Sequence, residues 1–133
     1  MARQAHERYE VSITVPGIDQ YLRSVRLVAG DLAEIAGFDA EDADDLRIGV
    51  AELCHHLLEM GAERMTVRFW VELGEVTARG LARRIRGLQP PSLRGTSLDG
   101  VSGLVVRGVL DYHEVVDDDD VVTFSLVKRV SRA

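Results

Sequence analysis

The segment DLRIGVAELCHH, residues 45–56, decides how the rest of the chain is interpreted. Apolar residues in and directly after it recur every three or four positions: Leu46, Val50, Leu53, Cys54, Leu57 and Leu58. This spacing places them on one face of an α-helix. Asp39 precedes the segment as a suitable N-cap, and Gly61 follows it as a stop signal. We therefore predict a helix from about Ala40 to Met60.

Two further elements are expected before this helix. Residues 9–15 (YEVSITV) alternate apolar and polar side chains, which is typical of a strand, and Pro16 ends the run. From Ile18 to Ala36 the apolar positions return to helical spacing, and Gly37 follows as a stop. The pattern therefore predicts a strand and a first helix.

The sequence after the central helix predicts four strands and one more helix. The strand runs are short and rich in β-branched or aromatic residues, and they span 65–73, 75–81, 112–116 and 121–130. Gly74 and the run DDDD at 117–120 suit the two turns between them. Residues 98–110 return to helical spacing, whereas residues 82–100, rich in Arg, Gly and Pro, have no period and predict a loop.

The predicted element order is β-α-α-β-β-α-β-β, in one domain that covers residues 1–133. Strands and helices do not alternate strictly in this order. We therefore expect an α+β fold, in which a mixed, mostly antiparallel sheet is covered on one face by three helices.

Composition limits the class of protein. Hydrophobic residues make up 46% of the 133-residue chain, which is ordinary for a globular domain. The single cysteine, Cys54, fits a reducing compartment, and the N-terminal run MARQAHERYE is too polar for a signal peptide. No stretch approaches the ~18 apolar residues that a membrane span needs. These features predict a cytoplasmic protein that does not contact membranes.

The charge is unevenly distributed. The formal net charge is −6, with acidic residues concentrated at 39–45 and 117–120, and this balance argues against nucleic acid as a direct partner. Five arginines nevertheless lie close together in sequence: Arg79, Arg83, Arg84, Arg86 and Arg94. They are interpreted either as a solvated basic loop or as a docking patch for an acidic protein segment.

The element order and the segment 45–56 resemble the ATP-binding domain shared by sensor histidine kinases, gyrase and Hsp90. Within that superfamily, the chain from Tyr9 to Val130 is most similar to the stand-alone anti-sigma-factor serine kinases. The resemblance implies a Bergerat or GHKL-type α/β sandwich. It also implies that Glu52 matches the glutamate that acts as general base in active members. His56 stands where those members carry the asparagine that holds magnesium.

Two further motifs of the family are degraded. Where the resemblance expects Asp-x-Gly-x-Gly after the hairpin, this chain has Arg83, Ile85 and Gly87 at the Asp and Gly positions. An arginine presents only donors, so it cannot accept the hydrogen of the adenine amino group. The Gly-x-Gly-Leu motif is half present, through Gly103. No P-loop or dinucleotide fingerprint occurs. We therefore expect no bound cofactor or metal, and Mg-ATP only if the site still functions.

Several candidate residues keep two interpretations. Glu52 is either a surviving general base or a structural carboxylate. Glu52 and His56 have the i, i+4 spacing of a hydrogen-bonded pair or of half a metal site, and the hydrogen bond is favoured. Cys54 is expected to be a small core residue. Arg83 either fills the former nucleotide pocket and pairs with Glu52 or a nearby acid, or points to water. Trp70 and its neighbour must face opposite sides of a sheet, and a core position for Trp70 is slightly favoured.

Arg23 and Arg26 lie on the first predicted helix. The resemblance implies that this helix and its surroundings form the surface for dimerisation and partner binding. The position of Arg26 relative to Glu52 is close to that of an arginine which the family uses in partner contact. Both arginines are therefore predicted to bind a partner.

Two functions follow from these observations. The first is a non-catalytic regulatory protein that resembles an anti-sigma factor, binds a sigma factor or a STAS-type antagonist, and forms a homodimer. The second is a divergent Mg-ATP-dependent serine kinase that acts on such an antagonist with Glu52 as base. The replacements at His56, Arg83 and Ile85 favour the first. A structural subunit of a larger signalling complex is a third, weaker hypothesis.

Overall fold

The computed structural model describes residues 8–84 and 100–131, and these form five strands and three α-helices. The strands are β1 (Tyr9–Pro16), β2 (Ala62–Glu72), β3 (Glu75–Arg84), β4 (Tyr112–Asp118) and β5 (Val121–Arg129). The helices are α1 (Leu22–Ile35), α2 (Ala40–Glu59) and α3 (Gly100–Val109), with a 3-10 turn at Asp19–Tyr21 before α1. The predicted element order is confirmed.

The strands form one sheet in the order β1-β2-β3-β5-β4, and every neighbouring pair is antiparallel. Two hairpins, β2-β3 and β4-β5, therefore account for four of the strands. Each turns at a residue with positive φ, which is 87° at Gly74 and 54° at Asp119. Gly adopts this conformation without steric cost, and Asp tolerates it better than most residues. The predicted α+β sheet is confirmed, and its described pairings are all antiparallel.

The predicted boundaries were wrong at several places, and one of them is β4, which extends to Asp118 although residues 117 and 118 were predicted as turn. The helix expected from Ile18 begins at Leu22, after the 3-10 turn, and β2 begins at Ala62 rather than at residue 65. β3 continues through residues 82–84, which were predicted as loop. These residues are strand because β3 pairs on both sides, with Arg83 opposite Arg64 of β2 and Val121 of β5. Tertiary pairing here overrides a local composition that favours a loop.

The core lies between the helices and one face of the sheet, which is called the inner face. The largest fully buried side chains come from the helices and from alternate residues of β2, β3 and β5: Phe69, Phe124, Leu46, Leu53, Leu57, Met65, Leu126, Val25, Val50, Val67, Val76 and Val106. α2 lies at the centre, in contact with α1, α3 and strands β2, β3 and β5. In the part of the chain that is described, no helix is long and apolar enough to cross a membrane.

A buried charged cluster attaches the end of β5 to the start of α2. Asp39 caps α2, as predicted, by accepting a hydrogen bond from the backbone N–H of Asp42 at 2.8 Å. The carboxylate of Asp42 accepts from the backbone N–H and the hydroxyl of Ser131, at 2.9 and 2.7 Å. The buried Nζ of Lys128 lies 3.6 Å from Asp42 and 3.6 Å from Asp45. The Ser131 hydrogen bonds, with the nearby Lys128 charge, lower the pKa of Asp42 below its ordinary 3.8.

We expect Asp42→Asn to lower the free energy of unfolding by about 2 kcal/mol at neutral pH, because it leaves the buried Lys128 ammonium with one carboxylate instead of two. The folded-state pKa of Asp42 is depressed, so its contribution is present above 3.8 and is lost as the pH falls through the lower folded value. Urea unfolding at several pH values measures the free energy of unfolding of the parent and of the variant. Asp44→Asn, at an exposed ion pair with Arg47, is the control. Equal losses in the two variants would contradict the prediction.

Gly49 allows close contact between α2 and the end of α3. A Cβ built at Gly49 would lie 2.6 Å from Cδ2 of Leu110, and Leu110 is itself buried. Gly108, on α3, has nothing within 4 Å of the same position. The two glycines therefore differ in packing although both lie in helices.

We expect Gly49→Ala to destabilise the fold by about 1–3 kcal/mol, since overpacking against Leu110 outweighs the gain in helix propensity. Gly108→Ala, which meets no neighbour, should stabilise it by roughly 0.5–1 kcal/mol. Chemical unfolding of both variants measures the difference. Stabilisation by both substitutions would contradict the inferred contact between α2 and Leu110.

Candidate functional site

The outer surface of α1 and α2 carries a groove of about 760 Å³. Its lining combines arginines, carboxylates and apolar side chains: Arg23, Arg26, Leu27, Gly30, Asp31, Glu34, Phe38, Asp39, Ala40, Ala43 and Arg47. The Arg47 side chain crosses from α2 onto α1 at Gly30, where a Cβ would lie 2.5 Å from Nη1 of Arg47. Arg47 also pairs with Asp44 on its own helix.

One stripe of α1 borders this groove and faces solvent. Arg23, Arg26, Leu27 and Gly30 follow the three- and four-residue spacing that aligns side chains along a helix. Both arginines are exposed, and Leu27 is 68% exposed. The stripe therefore offers two cationic groups beside an apolar one, which is a combination suited to a protein contact.

Arg26 also borders two neighbouring depressions. One has a volume of about 560 Å³ and includes Arg23 and residues of the 3-10 turn. The other has a volume of about 390 Å³ and extends onto α2, where Ile48 and Glu52 line it. The structure thus places Arg26 and Glu52 around one depression, although the sequence assigned them to separate roles. Sequence spacing could not reveal this, because it depends on how the two helices cross.

Glu52, His55 and Cys54 are close in sequence but lie in three different environments. Glu52 is half-buried and forms no hydrogen bond with another described residue, so the favoured Glu52–His56 hydrogen bond was wrong. His55 is directed elsewhere, with Nδ1 3.5 Å from Asp19 and Nε2 3.5 Å from Glu59. Cys54 lies in the core, where burial raises the pKa of its thiol to about 12. It is therefore a thiol rather than a nucleophilic thiolate at neutral pH.

Arg83 does not share the side of the sheet on which Glu52 lies. Its neighbour Ala82 is buried on the inner face, so the alternation of β3 directs Arg83 to the opposite, outer face, where it is exposed. A group that fills a pocket beside Glu52 must face the helix layer. Arg83 therefore does not pair with Glu52, and the interpretation in which it points to water is the one that the structure supports.

The remaining positions of the degraded motifs are only partly described. Gly103 is buried in the first turn of α3, whereas Ile85 and Gly87 lie outside the described residues. Within residues 8–84 and 100–131, no three His, Cys, Asp or Glu side chains are grouped so that they could hold a metal ion.

Trp70 lies on the outer face of the sheet, so the favoured core position was wrong. Phe69 takes the core position and is fully buried. The Trp70 ring is flanked by two guanidinium groups, those of Arg8 at 5.7 Å and Arg68 at 5.4 Å from its centroid. Both distances are within the range of cation–π interactions.

The fold has a counterpart among solved structures. The chain is similar to the RsbU and RsbW domains of Rv1364c from Mycobacterium tuberculosis, with a TM-score of 0.68 and 21% sequence identity. The match covers 93% of this chain and 32% of that chain, so this chain spans about a third of the length of its neighbour. No protein-family model and no curated protein matches the sequence. The likeness confirms the predicted α+β fold.

Proposed function

We propose that the chain is a non-catalytic regulatory protein that resembles an anti-sigma factor. In this proposal it binds a sigma factor or a STAS-type antagonist in the cytoplasm, and it does so as a homodimer. The fold supports the proposal, because the similar structure includes the RsbW domain of Rv1364c and the sequence resembles the anti-sigma-factor serine kinases. A partner-switching role fits this likeness at the level of the fold.

The stripe on α1 is the observation that carries the proposal. Arg23 and Arg26 were predicted to contact a partner, and they line the groove of about 760 Å³ together with the exposed Leu27. An apolar anchor beside arginines is typical of residues that dominate binding energy in protein interfaces. The carboxylates of Asp31 and Glu34 line the same groove, so it presents both signs of charge and can select a complementary partner.

The loss of catalysis in this proposal follows from the residues that would have to hold nucleotide. His56 replaces the magnesium-binding asparagine that the resemblance implies, and Arg83 faces the wrong side of the sheet to act beside Glu52. A general base works only on a proton that a bound substrate holds within hydrogen-bond reach. Glu52 without those anchors is therefore proposed as a surface carboxylate rather than as a catalytic base.

The alternative is a divergent serine kinase that uses Mg-ATP, and one observation favours it. The carboxylate of Glu52 forms no ion pair with another described residue, and it lines a depression that Arg26 also borders. A half-buried carboxylate beside an arginine has the chemistry to deprotonate a hydroxyl close to a bound phosphate.

We expect Arg26→Glu to weaken binding to the partner by a factor of about 10 or more, because it reverses the charge at the centre of the stripe. The measurement is biolayer interferometry against each purified sigma factor and STAS-domain protein of the source organism. Arg107→Glu, at an exposed position on α3, is the matched charge reversal and should bind like the parent chain. Equal effects of the two substitutions, or no binding by the parent, would contradict the proposal.

We expect no heat of binding when the parent chain is titrated with ATP or ADP in excess magnesium up to millimolar nucleotide. Isothermal titration calorimetry makes this measurement, with Glu52→Gln titrated in parallel. Micromolar binding would contradict the non-catalytic proposal. Transfer of phosphate to a STAS-domain protein that Glu52→Gln abolishes would establish the kinase alternative.

A further inference from the structure

The outer face of the sheet carries a cluster of arginines that has no role in the proposed function. Alternate residues of β2 and β3 face away from the core, and in the described residues no helix covers them. Four of them are arginines: Arg64, Arg68, Arg79 and Arg83. The two on β3, Arg79 and Arg83, also belong to the basic run of the sequence.

The strand register places these arginines in two like-charged pairs. Arg68 lies directly opposite Arg79, and Arg64 lies directly opposite Arg83. Residues in such positions have Cβ atoms only about 5 Å apart, and like charges there destabilise the sheet. A sheet selected for stability alone would place carboxylates opposite these arginines.

Among the described residues, a carboxylate compensates one of the four arginines. Arg68 donates to Glu10 on β1 through Nε and Nη2, at 2.8 and 2.7 Å. Arg64, Arg79 and Arg83 form no ion pair with any other described residue. The chain as a whole has a net charge of −6. This face is therefore locally positive on a chain that is negative overall.

An apolar side chain lies between the two arginine pairs. Leu81 is 44% exposed and faces the same side, opposite Thr66 of β2 and Thr123 of β5. Beyond Arg68, the Trp70 ring continues the face. The surface thus has an apolar centre with cationic groups on both sides, and we call Arg64, Arg68, Arg79, Leu81 and Arg83 the outer arginine surface.

We propose that the outer arginine surface docks an acidic segment of a partner protein, with carboxylates on the arginines and an apolar side chain on Leu81. Guanidinium groups bind carboxylates through paired, charge-assisted hydrogen bonds. The net charge of −6 disfavours a nucleic acid, which would be repelled by the rest of the chain. A second copy is disfavoured as well, because a two-fold contact centred on this surface would bring arginines against arginines.

This surface is separate from the α1 stripe. The arginines project from the side of the sheet that is opposite to the helices, whereas Arg23 and Arg26 lie on the outside of the helix layer. Both surfaces can therefore be occupied in one molecule. The outer arginine surface does not depend on whether the α1 stripe binds a sigma factor.

The first test uses a fluorescein-labelled synthetic peptide in which Asp and Glu alternate around a central Leu, measured by fluorescence anisotropy. Arg79→Ser combined with Arg83→Ser should weaken binding by a factor of about 10 or more and reduce its dependence on salt. Arg23→Ser combined with Arg26→Ser removes equal charge from α1 and should leave binding unchanged.

Three outcomes of this test would overturn the proposal. They are equal weakening by the two double variants, equal binding of a peptide with Asn and Gln in place of Asp and Glu, and tighter binding of a single-stranded oligonucleotide of the same charge. The last outcome would identify a nucleic-acid surface instead.

A second measurement keeps the test independent of the choice of peptide. Because the arginine pairs repel each other, Arg79→Ser combined with Arg83→Ser should raise Tm by about 2 °C or more. A fall in Tm would show that the arginines stabilise the sheet, and would overturn the inference that they are kept for binding.

Discussion

The packing of α2 against the sheet and the other two helices is the interaction on which the rest of the structure depends. Leu46, Val50, Leu53 and Leu57 are completely buried along one side of this helix. That side is occupied by the core, so only the flanks of α2 reach solvent. Glu52 lies on such a flank, across a shallow depression from Arg26. The geometry of the candidate site is therefore set by how α1 packs on α2.

The sequence predicted the element order because helical and strand periodicity are local properties that a short window reveals. It favoured Trp70 rather than Phe69 for the core and was wrong, since alternation only requires that the two face opposite sides of the sheet. The inner face is defined by its contact with the helices, and this contact depends on tertiary structure rather than on the local sequence. The same contact decides the position of Arg83: Ala82 is buried against the helices, so Arg83 faces the outer side.

The arginine pairs on β2 and β3 could have been found from the sequence. They follow from a two-residue turn at Leu73 and Gly74, which places Glu72 opposite Glu75, and then Arg68 opposite Arg79 and Arg64 opposite Arg83. The predicted turn at Gly74 alone did not fix this register. The prediction ended β3 at residue 81, which removed Arg83 from the ladder. In contrast, the shared depression of Arg26 and Glu52 depends on a helix crossing that no spacing in the sequence specifies.

The inner face of β3 stabilises the fold, whereas its outer face carries residues that are proposed to bind a partner. Val76, Ala78 and Ala82 face the helices and are buried, so they supply the packing that holds the strand in the sheet. Arg79 and Leu81 alternate with these residues and face outward. They contribute little to that packing, so their side chains can change without loss of the core. Repulsion between arginines on the outer face is tolerated because the inner face and the ladder hydrogen bonds already fix the strand. A surface of this kind can therefore accumulate charge for a partner without loss of the fold.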